Sequence, residues 1–194
     1  MIINHQKLKR TLAKQVPPVL SKKIFNNLEK EFERAKQKLL QDFENHAVSK
    51  ELDGREGASN ISNTLGGEGN LYSFIGFSGE DALSQLRDLL TDGIKIINKT
   101  TDGNNLTFSI KIAIPTTDAI ASATPMPWAP GISWAEGIEK GISGLGNFLN
   151  KRTSASRSGR GIQLDYKVRG ETFSGVPYLT KILEDFISEL TKLK

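Results

Sequence analysis

Two aspartates, Asp88 and Asp92, are the carboxylates whose spacing best suits chemistry. They lie four residues apart in a short helical pattern, and such residues share one face of a helix. A pair of carboxylates can bind Mg²⁺ or divide acid and base roles between its members. No partner motif accompanies the pair, so a solvated helix face is the favoured interpretation and a magnesium-dependent enzyme is the alternative.

The scarcity of cysteine and histidine excludes most other reactive sites. The 194-residue chain has no Cys, which rules out disulfides, thiolate zinc sites and Cys nucleophiles. Its two histidines, His5 and His46, fall in an N-terminal arm and a long helical pattern, where we favour surface polar roles. The glycine-rich stretches 66–69 and 141–146 match no phosphate-binding motif. We therefore predict no catalytic residue, no metal and no cofactor.

Charge is distributed very unevenly along the chain. The formal net charge of +4 divides into +5 over residues 1–52, −5 over 53–150, +5 over 151–169 and −1 over 170–194. Such segregation suits nucleic acid or complementary protein surfaces, and solvated faces are the third interpretation. The candidate interface or DNA-facing residues in the two basic blocks are Lys7, Lys9, Arg10, Lys14, Lys151, Arg152, Arg157 and Arg160.

The second basic block allows two kinds of partner. Its arginines can form charge-assisted hydrogen bonds with phosphates, but the loop 151–161 has no aromatic side chain for base stacking. We slightly favour an acidic protein surface, because the acidic middle of a second copy can receive the loop. Binding of nucleic acid through both basic segments is the alternative function.

Two tryptophans complete the candidate residues. Trp128 lies within the proline-rich stretch 125–131, and Trp134 follows it directly. A core position is the favoured interpretation for both, and an interface anchor is the alternative because Trp is enriched at binding hot spots. Trp134 also belongs to Ser133-Trp-Ala-Glu136, a capping box that predicts the start of a helix.

The elements that must position these residues are predicted from apolar periodicity. Helical spacing occurs at 19–52, at 79–90, from 133 to about 150, and in a last stretch that Pro177 opens. Strand alternation occurs at 94–99 and 106–114, which predict an antiparallel hairpin, and at 162–168, while 71–77 is expected to be extended. The predicted fold is α+β, with a long N-terminal helix and helices packed against a small antiparallel sheet of about three strands.

Domain organisation follows from the same pattern. We predict a basic arm at 1–18 and a single α+β domain at 19–194, with long loops near 53–70 and 150–161. The first helix would span about 50 Å, so that one end projects or packs on a neighbouring copy. No stretch approaches the length of a membrane span, and no secretory signal is recognisable, so we expect a protein made in the cytoplasm without membrane contact.

Three stretches of the sequence share one likeness: 60–67 with 70–77, then 125–146, and then 156–163, within a region that covers roughly residues 58–165. Together they resemble small virion structural proteins of tailed bacteriophages with contractile tails. The likeness is to the head–tail connector, or neck and tail-completion, group. It implies a virion location, a homo-oligomeric ring, contacts with portal, adaptor and tail proteins, possible non-specific DNA contact and no catalytic residue.

Overall fold

A computed structural model describes residues 18–67, 69–102, 107–141, 147–149, 162–164 and 174–192. It confirms the α+β class, with a long N-terminal helix, further helices and small antiparallel ladders. The helices are α1 Pro18–Asn45, α2 Ala47–Asp53, α3 Leu71–Ile75, α4 Ser84–Gly93, α5 Thr117–Ala123, α6 Trp134–Lys140 and α7 Leu179–Thr191. The strands are β1 Lys95–Asp102, β2 Thr107–Ala113, β3 Pro125–Met126, β4 Ala129–Ser133, β5 Asn147–Leu149 and β6 Ile162–Leu164.

The first predicted helix is divided into α1 and α2 by a break at His46. The backbone of His46 is extended, with φ −62° and ψ 142°, so the α1 hydrogen-bond ladder stops there. The His46 side chain then accepts a hydrogen bond from the backbone N–H of Val48 at 3.3 Å and caps the start of α2. A surface polar role for His46 is therefore wrong, since its half-buried ring also packs 4.8 Å from Tyr178.

The predicted hairpin is confirmed, but the third strand does not join it. Strands β1 and β2 pair antiparallel from Lys95 opposite Ala113 to Asp102 opposite Thr107, with a bulge between Ile96 and Asn98. Strand β6 pairs with β5 instead, and β3 pairs with β4. The described strands therefore form three two-stranded ladders rather than one sheet.

Two local predictions are wrong because polar and glycine residues set the helix boundaries. The stretch expected to be extended at 71–77 begins with helix α3, which the Asn70 side chain caps by accepting from the N–H of Ser73 at 2.8 Å. Helix α6 ends at Lys140 rather than near residue 150, because Gly141 adopts φ 98° and leaves the helical region.

The hydrophobic core lies between the C-terminal half of α1, helices α3, α4 and α6, and the antiparallel partner α7. Phe43 packs against Tyr178, and Phe32 meets Phe186 edge to face at 6.3 Å. The 174–178 segment approaches α6 so closely that the N–H of Val176 donates to the carbonyl of Ile138 at 3.0 Å. These contacts hold α1, α6 and α7 together around the core.

Candidate interaction site

The predicted site residues divide into those that the structure describes and those that it does not. Lys7, Lys9, Arg10 and Lys14 in the arm, and Lys151, Arg152, Arg157 and Arg160 in the 150–161 loop, lie outside the described residues. Trp128 and Trp134 are described. The basic candidates therefore stay predictions, and the tryptophans can be placed.

Trp134 is a core residue, as the favoured interpretation of the sequence has it. Its side chain is 1% exposed and packs at 6.4 Å from the ring of Phe77 and at 6.5 Å from that of Tyr178. The helix start that the capping box predicts is confirmed, and Ser133 is its N-cap, because Ser133 Oγ accepts from the N–H of Glu136 at 3.1 Å. With its indole in the core, Trp134 has almost no surface for a partner.

Trp128 is half-buried and fastens the proline-rich turn to helix α3. Its indole Nε1 donates to the carbonyl of Ile75 at 2.8 Å, which satisfies one acceptor at the end of that helix. The exposed part of the ring keeps the interface-anchor interpretation open as a prediction. The contact also links two of the stretches that carry the bacteriophage resemblance.

The paired aspartates form no metal centre with their described neighbours. Asp88 and Asp92 are both exposed on α4. Among the residues that the structure describes, no group of three or more His, Asp or Glu side chains is arranged to hold a metal ion. The magnesium-dependent alternative therefore stays a prediction.

A buried carboxylate that the sequence reasoning missed organises the segment after α2. Glu51 is fully buried, and its Oε1 accepts from Asn60 Nδ2 at 2.8 Å and from the N–H of Leu71 at 2.9 Å. Its Oε2 accepts from the N–H of Ser62 at 3.1 Å and from Ser62 Oγ at 2.6 Å. Charge-assisted hydrogen bonds offset the desolvation of such a group.

Asn60 extends this network to the glycine-rich turn. Its Oδ1 accepts from the N–H groups of Leu65 at 2.8 Å and Gly67 at 3.1 Å. The predicted loop at 53–70 is thus an ordered segment built around Glu51. One signal was present in the sequence, since Glu51 falls three residues after Val48 and shares its inward helix face.

A second cluster joins three elements at the surface through Arg87. The guanidinium donates to Glu44 of α1 at 2.7 Å, to Asp53 of α2 at 2.9 Å and to Asp81 at 3.0 Å. The hydrogen bond to Glu44 is the largest cause that raises the pKa of Arg87 above its ordinary value. Three negatively charged carboxylates surround one positively charged guanidinium, so the cluster keeps a net negative charge.

Two further exposed carboxylates extend the negative surface. The Tyr72 hydroxyl donates to the carbonyl of Glu80 at 2.7 Å. Burial raises the pKa of that hydroxyl above its ordinary value, and the negative charges of Glu56 and Glu80 raise it further. Arg55 reaches the neighbouring carbonyl of Gly79 at 3.4 Å. We call the exposed carboxylates Glu44, Asp53, Glu56, Glu80 and Asp81 the acidic face; with Arg55 and Arg87 its net charge is −3.

The opposite charge is found on a unit that the core does not bury. Buried side chains on α1 begin at Phe32, and no residue of β1 or β2 is fully buried. Residues 18–31 pack on the hairpin instead, through an edge-to-face contact of Phe25 with Phe108 at 5.6 Å and an ion pair between Glu29 and Lys99. We call residues 18–31 with β1 and β2 the helix–hairpin extension.

The extension is basic and carries exposed apolar side chains. Its lysines are all exposed and outnumber its carboxylates; they are Lys22, Lys23, Lys30, Lys95, Lys99 and Lys111. Leu20 is 46% exposed and Ile97 is 51% exposed. A two-stranded hairpin is marginally stable alone. The β1–β2 hairpin is therefore stabilised by its packing on residues 18–31 and would gain stability from a partner that covers its exposed face.

Comparisons with known proteins do not add to this description. No family model, curated protein or solved structure matches the chain. In the described part of the chain, none of the helices combines the length and the apolar character needed to cross a membrane.

Proposed function

We propose that the chain is a virion structural protein of a tailed bacteriophage, in the neck, head–tail connector or tail-completion ring. It acts through contacts with copies of itself and with portal, adaptor or tail proteins. The resemblance of residues 58–165 to that group supports the proposal. A role in assembly requires no catalytic residue, and the proposal assigns none.

The observation that carries the proposal is the helix–hairpin extension. Helix α1 has 28 residues and spans about 42 Å, but its first three turns contribute nothing to the buried core. A ring subunit needs one surface for the preceding copy and a different one for the following copy. An extension of one charge and a face of the other meet that requirement on a single chain.

The stiffness of the body also suits a structural role. Glu51 and Asn60 tie the 58–71 segment together through buried hydrogen bonds, and Trp128 fastens the proline-rich turn to α3. Fully satisfied polar networks hold one conformation, which a subunit repeated around a ring must keep. The described residues of 60–77 and the proline-rich turn at Trp128 therefore supply the rigid part, and the extension supplies the contact.

The test is quantitative mass spectrometry of virions purified from a culture that produces the chain. We expect the chain in the particle fraction, in several copies per particle, at a constant ratio to the capsid protein across gradient fractions. Its presence in the soluble lysate together with its absence from purified virions would overturn the proposal. A host protein of similar abundance, followed through the same gradient, controls for carry-over.

A further inference from the structure

We propose that the helix–hairpin extension of one copy docks on the acidic face of a second copy, which makes a head-to-tail contact. The inference rests on the proposed function, because it names the contact that builds the ring. It commits to a second copy of this chain as the partner. Complementary charge and the incomplete burial of the extension support this contact.

The charges of the two surfaces are complementary. Within the described residues, the extension carries six exposed lysines against Glu29, Glu31 and Asp102, a net charge of +3. The acidic face carries a net charge of −3. Opposite potentials steer association and fix which surfaces meet, while like surfaces repel. Extension against extension and face against face are therefore both disfavoured, and head-to-tail contact remains.

The basic charge continues in the sequence before the extension. The predicted arm contributes Lys7, Lys9, Arg10 and Lys14, which lie outside the described residues. With Lys22 and Lys23 they make six positive charges in the sequence before Glu29, the first acidic residue.

Incomplete burial indicates that the extension gains a covering surface. The outer row of the hairpin pairs Asn98 with Lys111 and Thr100 with Ser109, and all four side chains are exposed. Bulges and lysines on an edge strand oppose the addition of a further strand, and β1 has both. Docking through side-chain charge, with Leu20 and Ile97 at the contact, suits this surface better than strand addition.

The acidic face can bind a basic partner because its two arginines, Arg55 and Arg87, do not neutralise its five carboxylates. Arg87 is shared among Glu44, Asp53 and Asp81, and Glu56 and Glu80 add two more exposed carboxylates. Arg87 also holds these carboxylates in fixed positions by joining α1, α2 and the turn before α4. A preorganised negative surface loses less side-chain entropy when a basic partner binds.

The experiment reverses the charge of one surface at a time and then mixes the variants. The extension variant is K22E/K23E/K111E, and the face variant is E56K/E80K, which leaves the Arg87 carboxylates intact. The control, D42K/E184K, reverses two exposed acids outside the acidic face. Sedimentation velocity of the full chain at 0.1 M salt measures assembly, and thermal unfolding checks that each variant folds.

The expected results follow from the pairing of charges. Each single-surface variant should associate at least about tenfold more weakly than the wild type, and the control should associate as the wild type does. A mixture of the two variants should regain assembly, because each reversed surface then meets a complementary one. Association of the wild type should also weaken steeply between 0.1 and 1 M salt, where the Debye length falls from about 10 to 3 Å.

Three results would overturn the inference. If both variants assemble as strongly as the wild type, the contact between copies lies elsewhere. If the wild-type chain stays monomeric at every concentration, the copies do not form this contact. Loss of retention on a duplex DNA column by K22E/K23E/K111E, with assembly unchanged, assigns the lysines to nucleic acid. None of these results bears on the presence of the chain in virions, which tests the proposed function separately. If a variant does not fold, the salt dependence of wild-type association tests the inference instead, and association that does not weaken between 0.1 and 1 M salt would overturn it.

Discussion

The substitution Glu51→Gln tests whether the buried carboxylate organises the segment between α2 and α3. Gln keeps the volume but replaces one acceptor oxygen with an NH₂ group. If the NH₂ group replaces Oε1, the N–H of Leu71 loses its acceptor; if it replaces Oε2, the N–H of Ser62 does. Asn60 cannot compensate by a flip, because its Oδ1 already accepts from Leu65 and Gly67.

The expected loss of unfolding free energy is about 3 kcal/mol. One buried N–H without an acceptor costs about 1–3 kcal/mol, and the remaining bonds change from charge-assisted to neutral, which halves their strength. The Ser62 hydroxyl recovers part of the loss, since it can rotate to accept. This loss is a substantial fraction of the unfolding free energy of a typical domain, which is about 5–15 kcal/mol.

The assay is equilibrium urea unfolding, with the midpoint and the m-value measured for each variant. Glu56→Gln is the matched control, because Glu56 is an exposed carboxylate in the same segment and should change stability by less than about 0.5 kcal/mol. A Glu51→Gln protein within about 0.5 kcal/mol of the wild type, at an unchanged m-value, would refute the reasoning.

Three further substitutions test other contacts of the body. Gly175→Ala places a Cβ 2.0 Å from the carbonyl oxygen of Glu139, so thermal unfolding should show a loss of unfolding free energy of about 2 kcal/mol or more. The control Gly57→Ala has open space around the new Cβ and should be near neutral. Equal melting temperatures of the two variants would contradict the close packing at Gly175. Burial holds the pKa of His46 below its ordinary 6.5, so the unfolded chain binds the proton more readily than the folded chain does. The free energy of unfolding of the wild type should therefore fall as the pH drops below about 6.5. The variant His46→Asn should lack that pH dependence. Arg87→Met leaves three carboxylates without their shared cation and should cost about 1–2 kcal/mol at low salt, with a smaller loss at 1 M salt; a salt-independent loss would indicate packing instead.

The sequence predicted the elements whose signal is local and periodic. The apolar stripe of α1, the alternation that defines the β1–β2 hairpin and the helix start capped by Ser133 all appear where expected, because each depends on residues close together in the chain. The division at His46 was missed, since the stripe continues through it and the break depends on a side-chain cap and on the distant Tyr178.

The long-range arrangement was beyond what periodicity can predict. Pairing of β6 with β5 rather than with the hairpin depends on distant segments, and alternation within one strand carries no information about its partner. The acidic face joins residues as far apart as Glu44 and Arg87, so only the fold reveals it. The segregation of charge was visible in the sequence, but the two surfaces were not.

A cryo-electron microscopy reconstruction of the virion at the head–tail junction tests the proposed function and the proposed contact most directly. We predict a ring of density there into which helices α1–α7 fit, with the helix–hairpin extension of each copy against the acidic face of its neighbour. A junction fully explained by other proteins, in virions from cells that produce the chain, would contradict it.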